Sequence, residues 1–289
     1  MFNGFSHSVK GESHEAKGIV CQDSSAFRVA PSGKYAVAVV ADGHGSKKHF
    51  RSNIGSRFAV EALLETVDNF CGDMQAFEEN FPKNHKMIIR NIEKQLISQW
   101  NYKVWEHLEK NPVTADEKKP FTIEEFEEIH PESYYGTTLI SAVAAENFTF
   151  GIQIGDGSLV AVFEDGKAVM PMEYEESAPA NITSSMCNAN AASMFKSFYV
   201  DNKQLAALYA STDGLYTSFG SDHDFLKYHL IMTGQLRDVE KFDKSVLKNL
   251  TKRSHYGTQD DISLSCVFNE DYIKSNYEEL NAKLTENAK

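Results

Sequence analysis

Three apolar runs of strand length in this 289-residue chain stop at an Asp-Gly pair. "KYAVAVVAD" (34–42) runs into Gly43, "NFTFGIQIGD" (147–156) into Gly157, and "QLAALYASTD" (204–213) into Gly214. A further run, "DISLSCVF" (261–268), carries its acids at the opposite end, as Asp260-Asp261. Apolar residues on both faces, over too short a span for a helix, read as buried strands. Asp-Gly after a strand is first of all a turn signal with no chemistry of its own. The fourth pair, Asp165-Gly166, is explained in that way, since with Glu164 it turns the hairpin "SLVAVFEDGKAVMPM" (158–172). Carboxylates at the mouths of adjoining buried strands are a different matter. They raise one another's pKa and repel, at a cost of several kcal/mol if uncompensated. One or two divalent cations resolve the conflict. Oxygen ligands without a Cys-x-x-Cys pair or a His-x-x-x-His spacing point to a hard ion, Mg²⁺ or Mn²⁺, rather than zinc.

"GTTLISAVAA" (136–145) is one more strand. Helical spacing marks 53–67, with Ser52 as N-cap, and 83–108, 224–233 and 236–252. Ile273, Tyr277, Leu280 and Leu284 predict a single C-terminal amphipathic helix. Between them, "KNPVTADEKKPFTIEEFEEIHPES" (110–133) is charged and proline-marked, a surface excursion with a short helix after a Thr122/Glu125 capping box. Many short strands with helices bunched in pairs predict two packed sheets covered by helices: an α+β layered fold in one domain, 1–289.

A formal charge of −12 argues against nucleic acid or an anionic membrane as the main partner, because both need a positive footprint. Cys21, Cys71, Cys187 and Cys266 lie far apart and read as reduced thiols. The first residues lack an apolar leader core, and no run approaches the roughly 18 apolar residues of a membrane span, so cytoplasm is the expected compartment.

"CQDSS" (21–25), "VVADGHG" (39–45), "GTTL", "IGDGSL", "ASTDGLY" and "QDDISL", in that order, resemble the metal-dependent serine/threonine protein phosphatases of the type 2C family. The resemblance spans residues 21 to 268 and implies a four-layer αββα sandwich with a two-metal site in the cleft at the sheet ends. By that resemblance Asp42 bridges both Mn²⁺ or Mg²⁺ ions and Gly43 offers its carbonyl to one of them. Asp213 and Asp260 are ligands of the other metal, Asp23 binds through coordinated waters, and Asp156 holds a weaker third ion. Asp261 orients its neighbour by hydrogen bonds. Gly136-Thr137-Thr138 sets strand geometry beside the site. The implied reaction is direct hydrolysis of phosphoserine or phosphothreonine in a partner protein, by water acidified between metals roughly 3.5–4 Å apart. His44 protonates the leaving oxygen, which its reference pKa of about 6.5 suits.

Two departures from the family pattern stand out. Gln22 replaces an acid before Asp23, and no arginine precedes it to grip phosphate, so Lys17, with His14 as competitor, is the stand-in. Two other readings remain open at this stage: a metal-binding pseudophosphatase that docks phosphoproteins, and a hydrolase of small phosphate esters.

Overall fold

The computed structural model describes residues 1–172, 183–201 and 205–289. Ten strands are found among them: β1 (Phe2–Val9), β2 (Ser24–Val29), β3 (Tyr35–Ala41), β4 (Leu139–Ala145), β5 (Phe148–Ile154), β6 (Ser158–Phe163), β7 (Ala168–Val169), β8 (Lys196–Asp201), β9 (Leu205–Ser211) and β10 (Ile262–Asn269). They form two antiparallel five-stranded sheets, in the orders β1-β10-β9-β6-β7 and β2-β3-β4-β5-β8. The helices are α1 (Glu12–Ala16), α2 (Ser52–Phe70), α3 (Met74–Lys110), α4 (Ala115–Lys118), α5 (Ile123–Glu127), α6 (Asp213–Tyr216), α7 (Asp222–Thr233), α8 (Val239–Arg253), α9 (Glu270–Ser275) and α10 (Tyr277–Asn287).

The alternation of side chains along β3 explains why it is apolar throughout. Val37, Val39 and Ala41 face a core shared with α2 and α3, where Leu63, Phe81, Leu96 and Trp100 are buried. Ala36, Ala38 and Val40 face the other way, into a core between the sheets with Ile140, Ala142, Ala161, Leu208 and Ala210. Period-two alternation thus serves two apolar faces instead of one apolar and one wet. The sheet containing β9 and β10 buries Tyr209, Leu264 and Phe268 against Phe225, Leu250 and Leu280 of the helices on its outer side. The layers therefore run helix, sheet, sheet, helix, as expected. Trp100 locks α3 to α2 by donating its indole N–H to the Gly55 carbonyl at 3.0 Å.

Several elements differ from the sequence reading. Strands β1, β2 and β8 had no apolar signature: "FNGFSHSV" and "SSAFRV" mix polar with apolar residues, and β2 and β8 are sheet edges. Gln204, the first residue of the strand expected at 204–213, lies outside the described residues. The helix expected at 83–108 is preceded by a second helical stretch from Met74, and the two meet at Asn84, whose φ of −129° breaks the helix just after Pro82. Ser52 is not the N-cap of α2; Arg51 occupies that place, and the Ser52 hydroxyl donates instead to Gln22 Oε1 at 2.6 Å. The C-terminal helix is two helices divided at Asn276.

The excursion carries two capping boxes, the expected one at Thr122/Glu125 and a second at Thr114/Glu117. It is held down by Arg51, whose guanidinium reaches both oxygens of Glu117 at 2.7 and 2.9 Å. No helix among the described residues is long and apolar enough to cross a membrane.

Candidate active site

Antiparallel pairing places the ends of β3, β5 and β9 and the beginnings of β4, β6 and β10 at one end of the sandwich. Every aspartate singled out as a candidate ligand lies at this end: Asp23 precedes β2, whose Ser24 pairs with Ala41 at the end of β3, and the others follow or precede the strand ends just named. Asp42, Gly43, His44, Asp156, Asp213, Asp260 and Asp261 line a common cavity of about 240 Å³, together with His14, Gln22, Gly45, Thr138 and Thr183. Asp23 is 7% exposed and sits behind that lining, accepting from the Thr212 hydroxyl at 2.8 Å. Lys17 is exposed at the end of α1 and is not among the lining residues, whereas His14 is.

The backbone of Asp42 is fixed by the "GTT" segment. Its N–H donates to Thr138 Oγ1 at 3.0 Å, and its carbonyl accepts from Thr138 N–H and from the Thr137 hydroxyl, both at 2.8 Å. Gly43 is required by close approach. A Cβ there would stand 2.7 Å from the carbonyl oxygens of both Gln22 and Ser52. Gly214 answers the same need after β9 of the other sheet, where a Cβ would fall 2.2 Å from the Asp261 carbonyl oxygen. The repeated Asp-Gly thus joins a carboxylate to a residue that lets another chain segment pass directly behind it.

Asp261 acts as a clamp more than as a partner of its neighbour. One carboxylate oxygen accepts from Gly11 N–H at 2.7 Å and the other from Gln22 N–H at 2.6 Å, while His14 Nδ1 stands 2.9 Å from it. Its own N–H donates to Asp260 Oδ1 at 2.9 Å, which orients that side chain. Gln22, at the position of the missing acid, is fully used by the protein: its side chain accepts from Ser52 and donates to the Val20 carbonyl at 2.8 Å.

Negative charge is concentrated here and poorly compensated. Burial, then Asp23, Asp213 and Asp260, push the Asp42 carboxyl well above the usual range. Burial and Asp261 do the same to Asp23. Asp213 is raised by burial and Asp156, and Asp260 by burial and Asp261. The acids ring the cavity rather than converging on one point. Among the described residues, the one trio of metal-type ligand atoms within 4.8 Å of one another is Glu12, Glu15 and His255 at the surface. A ring of hard oxygen donors with suppressed ionisation fits Mg²⁺ or Mn²⁺, whose charge would restore the ionised forms.

The histidine departs from its expected state. Burial, the His49 ring 4.8 Å away and Lys48 lower His44 from 6.5 to about 4, so the ring is neutral at pH 7 in the protein alone. Its Nε2 stands 2.8 Å from the hydroxyl of Ser185, a residue that no motif in the sequence signalled. Thr183, equally unsignalled, donates to Asp156 at 2.9 Å. Cys21 is no nucleophile, because burial and the charges of Asp261 and Asp23 push its thiol up. All four cysteines are unpaired.

A family model described as protein phosphatase 2C matches residues 10–251. No curated protein matches the sequence. Among solved structures, the serine/threonine phosphatase Stp1 from Staphylococcus aureus aligns with a TM-score of 0.57 at 13% identity, over 93% of this chain and 96% of that one. The serine/threonine phosphatase of S. agalactiae gives 0.55 at 16% identity, over 93% and 99%. PppA of Pseudomonas aeruginosa, described as a key regulatory component of T6SS, gives 0.54 at 17% identity, over 92% and 97%. At such identities the likeness is one of fold.

Proposed function

The chain belongs to the protein phosphatase 2C family, and from that premise we propose that it hydrolyses phosphoserine and phosphothreonine in protein substrates, using Mg²⁺ or Mn²⁺. The observation that supports this reading is the ring of aspartates on one cavity, with Asp42, Asp213 and Asp260 all present beside Gly43 and His44. A copy that had lost catalysis would be expected to lack at least one of them. Asp42, the Gly43 carbonyl, Asp213 and Asp260 would hold two ions, Asp23 would support them from behind, and Asp156 would take a third. When bound, the ions would supply positive charge for the phosphoryl oxygens and acidify a water at neutral pH.

The chain's own groups do the rest. Thr137 and Thr138 fix Asp42, Asp261 fixes Asp260 and the turn bearing His14, and the carboxylates line a partly desolvated cavity in which charge counts for more than in water. The water oxygen bonds to phosphorus as the ester P–O bond breaks, and the departing serine or threonine oxygen takes a proton from His44. The dianionic phosphate of a bound substrate favours the protonated ring, opposing the burial that holds it neutral otherwise. Among the described lining residues there is no arginine; His14 lies on the cavity and would be the basic side chain to meet phosphate, while Lys17 stands outside.

Hydrolysis of a phosphoserine peptide tests the proposal. Activity should vanish with chelator and return with Mn²⁺ or Mg²⁺ but not with Ca²⁺, whose longer bonds suit the site poorly. Turnover of phosphosugars above that of the peptide would move the substrate class to small esters. A purified, manganese-loaded protein that hydrolyses neither would overturn the enzymatic reading.

A further inference from the structure

Ser185 lies two residues after Thr183, outside any strand, and is 3% exposed. Its hydroxyl oxygen has four neighbours: His44 Nε2 at 2.8 Å, the Thr137 carbonyl at 3.1 Å, Cys187 Sγ at 3.2 Å and the Cys187 N–H, which donates to it at 3.5 Å. A hydroxyl has one proton and two lone pairs. The carbonyl can only accept, and a thiol is the weakest acceptor of the three, so the proton goes to Thr137. One lone pair takes the long contact from the Cys187 N–H and the other faces His44, and a nitrogen 2.8 Å from a hydroxyl lone pair must carry its own hydrogen. The serine is itself held in place. Its N–H donates to Asn188 Oδ1 at 2.7 Å, and the next residue, Met186, donates its N–H to the same Thr137 carbonyl at 2.9 Å.

We propose that Ser185 is a positioning residue which fixes His44 as the Nε2–H tautomer and sets the plane of its ring. The inference rests on the phosphatase reading for its kinetic consequence but not for the tautomer. Nδ1, which has no polar partner among the described residues, keeps the lone pair. Thr137 links the two halves of the arrangement, since its hydroxyl holds the Asp42 carbonyl while its own carbonyl holds Ser185. The ligand-bearing residue and the proton donor are thereby referred to one threonine. The Ser185–His44 contact is a second-order effect on chemistry: it leaves substrate binding alone and alters proton transfer.

Two measurements test this. In the metal-free protein, the ¹⁵N couplings of the His44 ring report the tautomer directly. Wild type should show the proton on Nε2, and Ser185→Ala should show a mixture, whereas a wild-type ring with its proton on Nδ1 would overturn the assignment. In the manganese-loaded protein, Ser185→Ala should lower kcat on a phosphoserine peptide about tenfold, a fraction of what general acid catalysis supplies. KM should change less than twofold and kcat on an aryl phosphate should barely move. Ser185→Thr, which keeps the hydroxyl, should restore the rate, and Ser185→Ala should cost nothing further in a His44→Ala background. Equal losses on both esters, or additive losses with His44→Ala, would refute the positioning role. If wild type hydrolyses neither ester, the phosphatase reading fails while the ring spectrum still decides the tautomer.

Discussion

Arg51→Ala should release the 110–133 excursion and lower stability by about 3–4 kcal/mol. The guanidinium is 6% exposed and holds Glu117 with a two-pronged contact, and one of its nitrogens also donates to the Asn111 carbonyl and the Tyr135 hydroxyl, both at 2.8 Å. The Glu117 carboxyl is pulled from 4.5 to about 2, first by its bonds to Arg51, against burial, and then by the capping bonds of Thr114. Each tenfold change in proton affinity is worth about 1.4 kcal/mol, so the charged form is favoured by roughly 3 kcal/mol. Thr114 keeps part of that, and Glu117 is 26% exposed, so the pair itself accounts for about 2 kcal/mol. The neutral acceptors left behind, the Asn111 and Pro112 carbonyls and the Tyr135 hydroxyl, together add about 1–2 kcal/mol. Urea melts measure the total, and hydrogen exchange across 111–133 localises it. Because the carboxyl is depressed, its stabilisation is complete above pH 4.5 and disappears as pH falls toward 2. The gap between wild type and Glu117→Gln should therefore be level from pH 8 to 5 and close below 4.5. A gap unchanged at pH 3, or an Arg51→Ala protein within 1 kcal/mol of wild type with unaltered exchange, would refute the reasoning.

Asp213→Asn should raise the melting temperature of the chelated protein by the equivalent of about 1–2 kcal/mol, because it removes one of several crowded carboxylates, while turnover at saturating Mn²⁺ falls by orders of magnitude. Calorimetry in chelator showing an unchanged or lower melting point would contradict the crowding. His44→Ala should reduce hydrolysis of phosphoserine far more than that of an aryl phosphate, whose leaving group has a reference pKa of about 10 and needs little protonation. His229 is fully buried, donates Nδ1–H to the Phe225 carbonyl at 2.8 Å and is lowered to about 4 by burial. Stability should thus be full above pH 6.5 and fall by about 3 kcal/mol on the way to pH 4, the cost of charging the ring. His229→Phe should flatten that slope, as followed by melting temperature against pH.

The parts of the fold and site legible in sequence were those in which one segment carries its own signal. Val37 to Ala41, buried on both faces, could be nothing but a central strand, and Asp42, Asp213 and Asp260 were found because each marks a strand end. Edge strands were not legible, since "SSAFRV" is half wet and its pairing with β3 is what makes it a strand. Nor was the Asp261 clamp, whose donors Gly11 and Gln22 lie 250 and 239 residues away in the chain. Reasoning from a reference pKa misjudged the resting state of His44, because neither its burial nor its neighbour His49 is written in "ADGHG". Between Lys17 and His14, charge alone favoured the lysine; only the turn of α1 decides which one meets the cavity.

Strand β1 pairs with β10 along its whole length, Phe2 opposite Asn269 and Val9 opposite Ile262. During synthesis, β1 has no partner in its sheet until the polypeptide has been made through residue 269. Asp42 and its threonine supports can assemble early, as β3 and β4 form, but Asp260 arrives only with the strand that also seats β1. A truncated product ending before residue 260 would therefore lack part of the acid ring and be left with two unpaired strand edges, at β1 and β9, for quality control to find.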